Sequence, residues 1–217
     1  METNIAGERL QLFPQKAIFW PSKRMLFLAD LHLGKINHFR RAGIPVPTRA
    51  NERNLELIVD LVNLTRPERF ICLGDLFHSH YNPEWEAFGE LIKHFRGTSF
   101  ELVMGNHDIM SDQQYRRKGI VVHEHLHVAP FLLTHHPLET VGQKTRHVGY
   151  NLAGHLHPGV TMRGAGKQSV TLPCFYFGRQ SGLLPAFGTF TGLARIKPRK
   201  EDKVYVIADE KIISVES

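Results

Sequence analysis

Cysteine is nearly absent from this sequence, which has Cys72 and Cys174 and no others among its 217 residues. Two cysteines cannot form the disulfide framework of a small secreted domain. Cys72 also lies inside an apolar run, Arg69–Leu73, that is typical of a core strand. We therefore expect a protein of the reducing cytoplasm.

Long apolar runs are absent as well. No stretch approaches the roughly 18–20 apolar residues that a membrane-spanning helix needs, and residues 1–4 lack the basic start of a secretory signal. The Gly-rich turn at 164–167 lies between predicted strands and does not open a helix with phosphate-loop spacing, which excludes a nucleotide-binding P-loop. With no linker, repeat or low-complexity tract, the sequence predicts one domain over residues 1–217 and no membrane association.

Acidic residues are fewer than basic ones, with 21 Asp and Glu against 27 Lys and Arg, a formal charge of +6 and a pI of about 9.4. This excess favours an anionic partner, and nucleic acid is one candidate. The basic residues are scattered along the chain, so a solvated surface explains most of them.

Polar side chains are concentrated where predicted strands end. The apolar run 100–104 leads directly into Gly105-Asn106-His107-Asp108. In open α/β sheets, sites form at the carboxyl ends of strands. The same arrangement occurs four more times: Asp30-Leu31-His32 follows 25–29, Gly74-Asp75 follows 69–73, His135-His136 follows 130–134, and Gly154-His155-Leu156-His157 follows 148–153.

These blocks offer carboxylate, amide and imidazole donors, which suit Mn²⁺, Zn²⁺ or Fe better than thiophilic ions. The pairs Asp30/His32 and His155/His157 are each separated by one residue, so in an extended segment both members face the same side. Seven donors exceed the four of a tetrahedral site, and they suit two ions that share a bridging carboxylate. A single Asp or His at a strand end is usually a turn or packing residue, but five blocks in this order favour a metal centre.

The blocks resemble the five-part signature of the calcineurin-like metallophosphoesterase superfamily. Residues 30–35, 39–47 and 184–192 are in addition similar to the DNA-ligase-associated DNA-damage-response metallophosphoesterases and endonucleases (PdeM-type). The β-α-β order of the first half and the strand-rich second half suggest two packed sheets with helices outside. The resemblance implies the same fold class, a four-layer α/β-β/α sandwich of two mixed sheets.

The resemblance also implies a role for each donor. Asp30, His32 and His157 hold one ion, Asn106, His135 and His155 hold the other, and Asp75 bridges them. His136 competes with His135, which is preferred because it directly follows the strand. His107 is the catalytic group that meets the leaving-group oxygen as an acid or a charge stabiliser, and Asp108 orients it.

Basic side chains near the blocks are candidate substrate contacts. Two interpretations have equal support: these residues bind substrate phosphates, or they lie on an ordinary solvent-exposed helix. The residues are Lys35, His38, Arg40 and Arg41. His78 and His80 lie near Asp75 but outside the blocks, and His78 is retained as a candidate substrate contact. His123, His125 and His127 are left unassigned on a predicted hairpin formed by 120–122 and 126–128.

The predicted function is a phosphodiesterase or nuclease with two divalent ions, most simply Mn²⁺ with Fe or Zn²⁺ as alternatives, in which a metal-bridging hydroxide attacks phosphorus in line. By resemblance, the substrate is DNA or another phosphodiester, and an ATP-dependent DNA ligase system with its nuclease or helicase is a partner in repair. The sequence is compatible with a homodimer. The alternatives are a phosphatase or phosphodiesterase of small nucleotides or phosphorylated metabolites, and an inactive interaction scaffold, which the intact blocks disfavour.

Overall fold

The structure is a computed structural model that describes residues 1–35, 49–77, 83–138, 149–164, 166, 168–189 and 191–215. Within these ranges, sixteen strands form a sheet of seven and a sheet of nine. No helix of the described residues is long and apolar enough to cross a membrane.

The first sheet is mixed and follows chain order. Strands β1 to β4 pair antiparallel and β4 to β7 pair parallel. Its strands are β1 (Glu2–Ile5), β2 (Glu8–Phe13), β3 (Ala17–Trp20), β4 (Met25–Leu28), β5 (Arg69–Leu73), β6 (Ser99–Val103) and β7 (Ile120–His123).

The second sheet is also mixed. Its central strands β9, β10 and β13 are parallel neighbours, and antiparallel strands extend the sheet on both sides. Its strands are β8 (Leu126–Val128), β9 (Phe131–Thr134), β10 (Tyr150–Ala153), β11 (Pro158–Arg163), β12 (Ser169–Phe177), β13 (Ser181–Leu183), β14 (Ala194–Arg195), β15 (Lys203–Ala208) and β16 (Lys211–Val215).

Three α-helices are described: α1 (Arg49–Thr65), α2 (Pro83–His94) and α3 (Asp112–Arg117). Helix α1 buries Ile58, Leu61 and Val62, whose spacing places them on one face. Helix α3 begins with a capping box, in which the Ser111 hydroxyl accepts from the Gln114 amide and the Gln114 side chain accepts from the Ser111 amide. Thr48 and Asn82, which precede the two longer helices in the chain, lie outside the described residues.

Alternate side chains of the first sheet enter different cores. In β4, Leu26 and Leu28 belong to the core under the helices, whereas Phe27 belongs to the core between the sheets, which also contains Phe131 and Phe175. Strands buried on both faces are expected at the centre of a sandwich. The predicted fold class, two mixed sheets packed face to face with helices outside, is confirmed.

The predicted hairpin of 120–122 and 126–128 is wrong. Strand β7 pairs in parallel with β6 in the first sheet, whereas β8 pairs antiparallel with β9 in the second. The residues between them therefore cross from one sheet to the other. Alternation of apolar and polar residues identifies a strand but does not say which sheet it joins.

The carboxyl ends of strands from both sheets meet at one edge of the sandwich. The bridge between Ala29 and Ala186 joins the ends of the sheets there. In addition, the amide of Gly154, after β10, donates to the carbonyl of His135, after β9. This edge gathers all five of the polar blocks.

Candidate metal centre

The turns that carry the predicted ligands have a shared backbone conformation. Five of the seven predicted ligands have a left-handed backbone, with φ values of 54° at Asp30, 49° at His32, 51° at Asp75, 66° at His155 and 48° at His157. Non-glycine residues rarely adopt this region, and they cluster at functional sites when they do. The predicted extended geometry of the Asp30/His32 and His155/His157 pairs is therefore wrong, because both members of each pair lie in tight left-handed turns.

Glycines next to the ligands leave room for close approach of the blocks. A Cβ on Gly74 would lie 2.1 Å from His135 Nδ1, one on Gly105 2.3 Å from Asp75 Oδ1, and one on Gly154 2.7 Å from Asp30 Oδ2. No side chain fits at such distances. Three of the blocks thus have a glycine where the donors of another block must pass.

The first cluster contains Asp30, His32 and His157, whose ligand atoms all lie within 4.8 Å of one another. His157 Nε2 lies 3.4 Å from Asp30 Oδ1, and His157 Nδ1 lies 3.1 Å from the carbonyl oxygen of Gly192. A carbonyl at Nδ1 fixes the tautomer that leaves Nε2 available to a metal. Asp30 is fully buried, and both of its oxygens face the amide of His155.

The second cluster is centred on His135. Its Nε2 atom lies 3.1 Å from Asn106 Oδ1 and 3.2 Å from His155 Nδ1, and its Nδ1 atom lies 2.9 Å from the carbonyl of Leu73. His136 also belongs here, because His135, His136 and His155 each offer a ligand atom within 4.8 Å of the others. His135 is buried and His136 is exposed, so His135 has the more enclosed position.

Asp75 lies between the two clusters. Its Oδ2 atom is 3.6 Å from His32 Nε2, and its Oδ1 atom is 3.5 Å from His135 Nε2. Asp30 also lies close to both clusters, since Asp30, Asp75 and His135 form a third group of potential ligands. Two buried carboxylates at this junction favour positive charge between them.

The donor set fits divalent metal ions. Two ligands at metal bonds of about 2.1 Å are separated by about 3.4 Å in a tetrahedral site, and the separations across Asp75 and Asp30 are 3.4–3.6 Å. Burial and the neighbouring imidazoles of His136 and His135 lower the pKa of His155, which favours the neutral, metal-binding form. The assignment of the seven ligands to particular ions remains a prediction.

His107 and Asp108 follow Asn106 in the chain. His107 lies at the rim of the site, and Asp108 lies in its interior. The His107 ring lies edge to face with that of His32, with centroids 5.3 Å apart, and its amide donates to Asp75 Oδ1 at 2.9 Å. Asp108 accepts at Oδ1 from the amides of Leu76 and Phe77 and at Oδ2 from that of Gly105. Asp108 thereby fixes the loops of Asp75 and His107 to each other, and its effect on the His107 ring stays a prediction.

Burial raises the pKa of Asp108 to about 6, although the backbone amides of Gly105 and Phe77 oppose this shift. Burial likewise raises the pKa of the Cys72 thiol well above its ordinary value, and the carboxylates of Asp108, Asp30 and Asp75 add to the effect. Cys72 is therefore a packing residue beneath the site.

One predicted substrate contact is described. The Lys35 side chain is half-buried, and burial lowers its pKa while the nearby carboxylates of Asp75 and Asp30 oppose the shift. Its ammonium group thus lies within the electrostatic reach of the site. The other candidates lie outside the described residues: His38, Arg40, Arg41, His78 and His80.

Phe187 and Gly188 support the site in a way that the sequence did not predict. The amide of Phe187 donates to the carbonyl of Ala29 at 2.8 Å, and that of Gly188 to the carbonyl of Asp30 at 3.0 Å. A Cβ at Gly188 would lie 2.6 Å from the carbonyl oxygen of Leu31. The available signal was the resemblance over 184–192, which gave no role to these residues.

Comparison with known proteins finds one matching family and several similar solved structures. The family model for calcineurin-like phosphoesterases matches residues 23–132, just over half of the chain. Among solved structures, the chain is similar to the nuclease MPE of Pseudomonas putida, with 28% identity over 99% of each chain and a TM-score of 0.83. The phosphoesterase Yfce of E. coli has 13% identity over 88% of this chain and 97% of that one, with a TM-score of 0.46.

A search of curated proteins finds no match to the chain. The family match spans the blocks of Asp30, Asp75 and Asn106, and the three clusters supply donors of the kind that divalent metals bind. The chain belongs to the calcineurin-like phosphoesterase family, and it is a hydrolase of phosphoester bonds.

Proposed function

We propose that this protein is a phosphodiesterase that uses two divalent metal ions and acts as a nuclease on DNA. The observation that carries the proposal is the position of Asp75, which directs one carboxylate oxygen toward His32 and the other toward His135. A carboxylate in this position suits a bridge between two ions. Asp30, His32 and His157 would hold one ion, and Asn106, His135 and His155 the other.

The bound ions would supply Lewis acidity and a water whose pKa falls from 15.7 toward about 7. Mixed oxygen and nitrogen donors make Mn²⁺ the first choice, with Fe and Zn²⁺ as alternatives. The chain contributes the fixed positions of the donors, since the left-handed turns and buried amide contacts limit their movement.

His107 would meet the departing oxygen, as an acid or as a charge stabiliser. Its backbone is held by Asp75 and its ring lies against His32, so the imidazole stands beside the first cluster. Lys35 would contact a non-bridging phosphate oxygen, because its charge lies near Asp30 and Asp75.

Two observations favour DNA over a small phosphorylated metabolite. The formal charge is +6, which favours a polyanion. The similar Pseudomonas putida protein is a nuclease, and the match covers nearly the whole of both chains. Membership of the PdeM-type group, a ligase-linked role in repair, a cytoplasmic location and a homodimer are further parts of this proposal, and the sequence resemblance supports the first two.

The test compares single-stranded, double-stranded and nicked DNA with a small aryl phosphodiester, each with added Mn²⁺, at several salt concentrations. We expect DNA cleavage whose KM rises steeply with salt, because phosphate contacts release counterions. The matched control is Asp75→Asn, which keeps the side-chain shape and removes the charge. Turnover of the aryl substrate with no DNA cleavage at any salt concentration would favour the small-substrate alternative.

A further inference from the structure

A cavity of about 730 Å³ adjoins the second cluster. Its volume is within the range of ligand-binding pockets. His135 lines the cavity and belongs to the cluster, and the ring of His136, which also lines it, lies with its centroid 4.0 Å from that of His155. A molecule in the cavity would therefore touch the edge of the metal centre.

The lining is apolar and aromatic with one carboxylate. Met104, Leu132 and Leu138 supply apolar surface, and the imidazoles of His125, His127 and His136 supply flat rings. Glu124 adds one acid to the lining. Such a surface suits a planar heterocycle that stacks on rings and donates hydrogen bonds, and it disfavours a second phosphate.

Both walls are fixed by buried or half-buried polar contacts. On one side, the Asn151 side chain accepts from the Leu138 amide at 2.9 Å and donates to the Leu132 carbonyl at 3.0 Å and to Thr134 Oγ1 at 2.9 Å. On the other side, the crossover from β7 to β8 begins at His123, whose Nε2 lies 2.8 Å from Glu101 Oε2. The cavity is thus bounded by elements from both sheets.

We propose that this cavity binds the nucleobase of a nucleotide that adjoins the scissile phosphate. The inference rests on the proposed function, since it places a base beside a phosphodiester held at the metal centre. Stacking against imidazole and apolar side chains accepts any base, so it would add affinity with little sequence preference. It also gives a role to His125 and His127, which the catalytic blocks leave unassigned.

The test uses a dinucleoside monophosphate, which has one scissile bond, and two analogues that lack the base on one or the other sugar. We expect removal of a base to lower kcat/KM by about tenfold for at least one analogue, which corresponds to the loss of one stacked base. In His127→Ala and Leu138→Ala, the ratio of kcat/KM between the complete and base-free substrates should fall toward one. His94→Ala, an exposed histidine on α2 away from the cavity, should keep the wild-type ratio.

Equal kcat/KM for the three substrates in the wild-type enzyme would overturn the pocket, as would an unchanged ratio in both cavity variants. Thermal unfolding of each variant shows whether a lowered ratio of kcat/KM comes from misfolding. Asn151→Asp is a second probe of the wall, because it is a near-isosteric change at a residue that does not line the cavity. Failure of the proposed function has a different result: DNA would not be hydrolysed with added Mn²⁺, whether or not the aryl phosphodiester is.

Discussion

At the scale of single residues, the site depends on conformations that sequence patterns do not reveal. The spacing of Asp30 and His32 predicted convergence from an extended segment, but both residues have φ near +50°. Each such residue costs about 1–3 kcal/mol of strain, which the surrounding packing must offset. The identities of the donors were readable because strand ends meet in α/β folds, whereas the turn conformation depends on contacts between distant blocks.

Gly74 gives the sharpest test of this packing. Gly74→Ala should lower metal affinity at least tenfold, because its Cβ would lie 2.1 Å from His135 Nδ1 and must displace that ring. The measurement is metal titration of the purified variant. Gly7→Ala is the control, since Gly7 also has a positive φ but an added Cβ meets nothing within 4 Å. Equal metal affinity in the two variants would show that the contact with His135 has no effect.

A variant of His107 tests the catalytic step separately from metal binding. His107→Ala should keep both metal ions and lose about 10²–10⁴ of kcat on a phosphodiester, the usual contribution of a general acid. The prediction follows from its place between a ligand and a buried acid, with its amide donating to Asp75. Metal analysis and steady-state kinetics on the same sample decide the matter, and full turnover with intact metals would refute the role.

At the scale of elements, a polar triad joins three neighbouring strands of the first sheet. Arg69 of β5 donates from Nε and Nη2 to Glu101 of β6 at 2.5 and 2.7 Å, and His123 of β7 lies 2.8 Å from the same carboxylate. Burial alone would raise the pKa of Glu101, but hydrogen bonds from Arg69 and His123 lower it overall. Sequence patterns placed these residues on strands without indicating that they meet.

Glu101→Gln should lower the free energy of unfolding at pH 7 by about 1–3 kcal/mol, because a buried charge-assisted pair is lost. A carboxyl with a lowered folded-state pKa stabilises the fold above its ordinary value of 4.5, and this contribution disappears as pH falls through the lowered pKa. Urea titrations between pH 7 and pH 3 should therefore show the variant and wild type converging in acid.

Glu68→Gln is the control for that experiment, since the ion pair of Glu68 with Arg24 is exposed and should contribute under about 1 kcal/mol. A constant difference between Glu101→Gln and wild type at every pH would contradict the assigned titration.

Most strands and helices were predictable because the spacing of apolar residues and the helix caps are local properties of the sequence. Strand β5 agrees with the predicted strand Arg69–Leu73. The crossover between β7 and β8 was missed, because two short alternating runs separated by a few residues have the same local pattern in a hairpin and in a crossover. Pairing partners are set by long-range packing, as in the register of β7 with β6.

At the scale of the whole molecule, the metal centre links the two sheets. Asp30, Asp75 and Asn106 follow strands of the first sheet, whereas His135 and His155 follow strands of the second. Bound ions would therefore hold together the edge where the sheets meet. The sequence predicted that the donors converge, because each block follows a strand, but the spacing of apolar residues does not say which sheet each strand joins.

Metal should accordingly raise thermal stability. At Mn²⁺ concentrations about 100 times Kd, binding contributes about 2.7 kcal/mol, which raises Tm by roughly 5–10 °C for a chain of this size. Differential scanning fluorimetry of chelated and reloaded protein measures the shift. Asp75→Asn should show less than half of it, and an equal shift in this variant would place the stabilising metal elsewhere.

The central claim is that seven donors from five turns hold two cations on either side of Asp75. Anomalous diffraction from crystals grown with Mn²⁺ tests it most directly. The account predicts two peaks about 3.5–4 Å apart, one beside His32 and one beside His135, with an Asp75 oxygen near each. A single peak, or manganese bound only outside these residues, would contradict it.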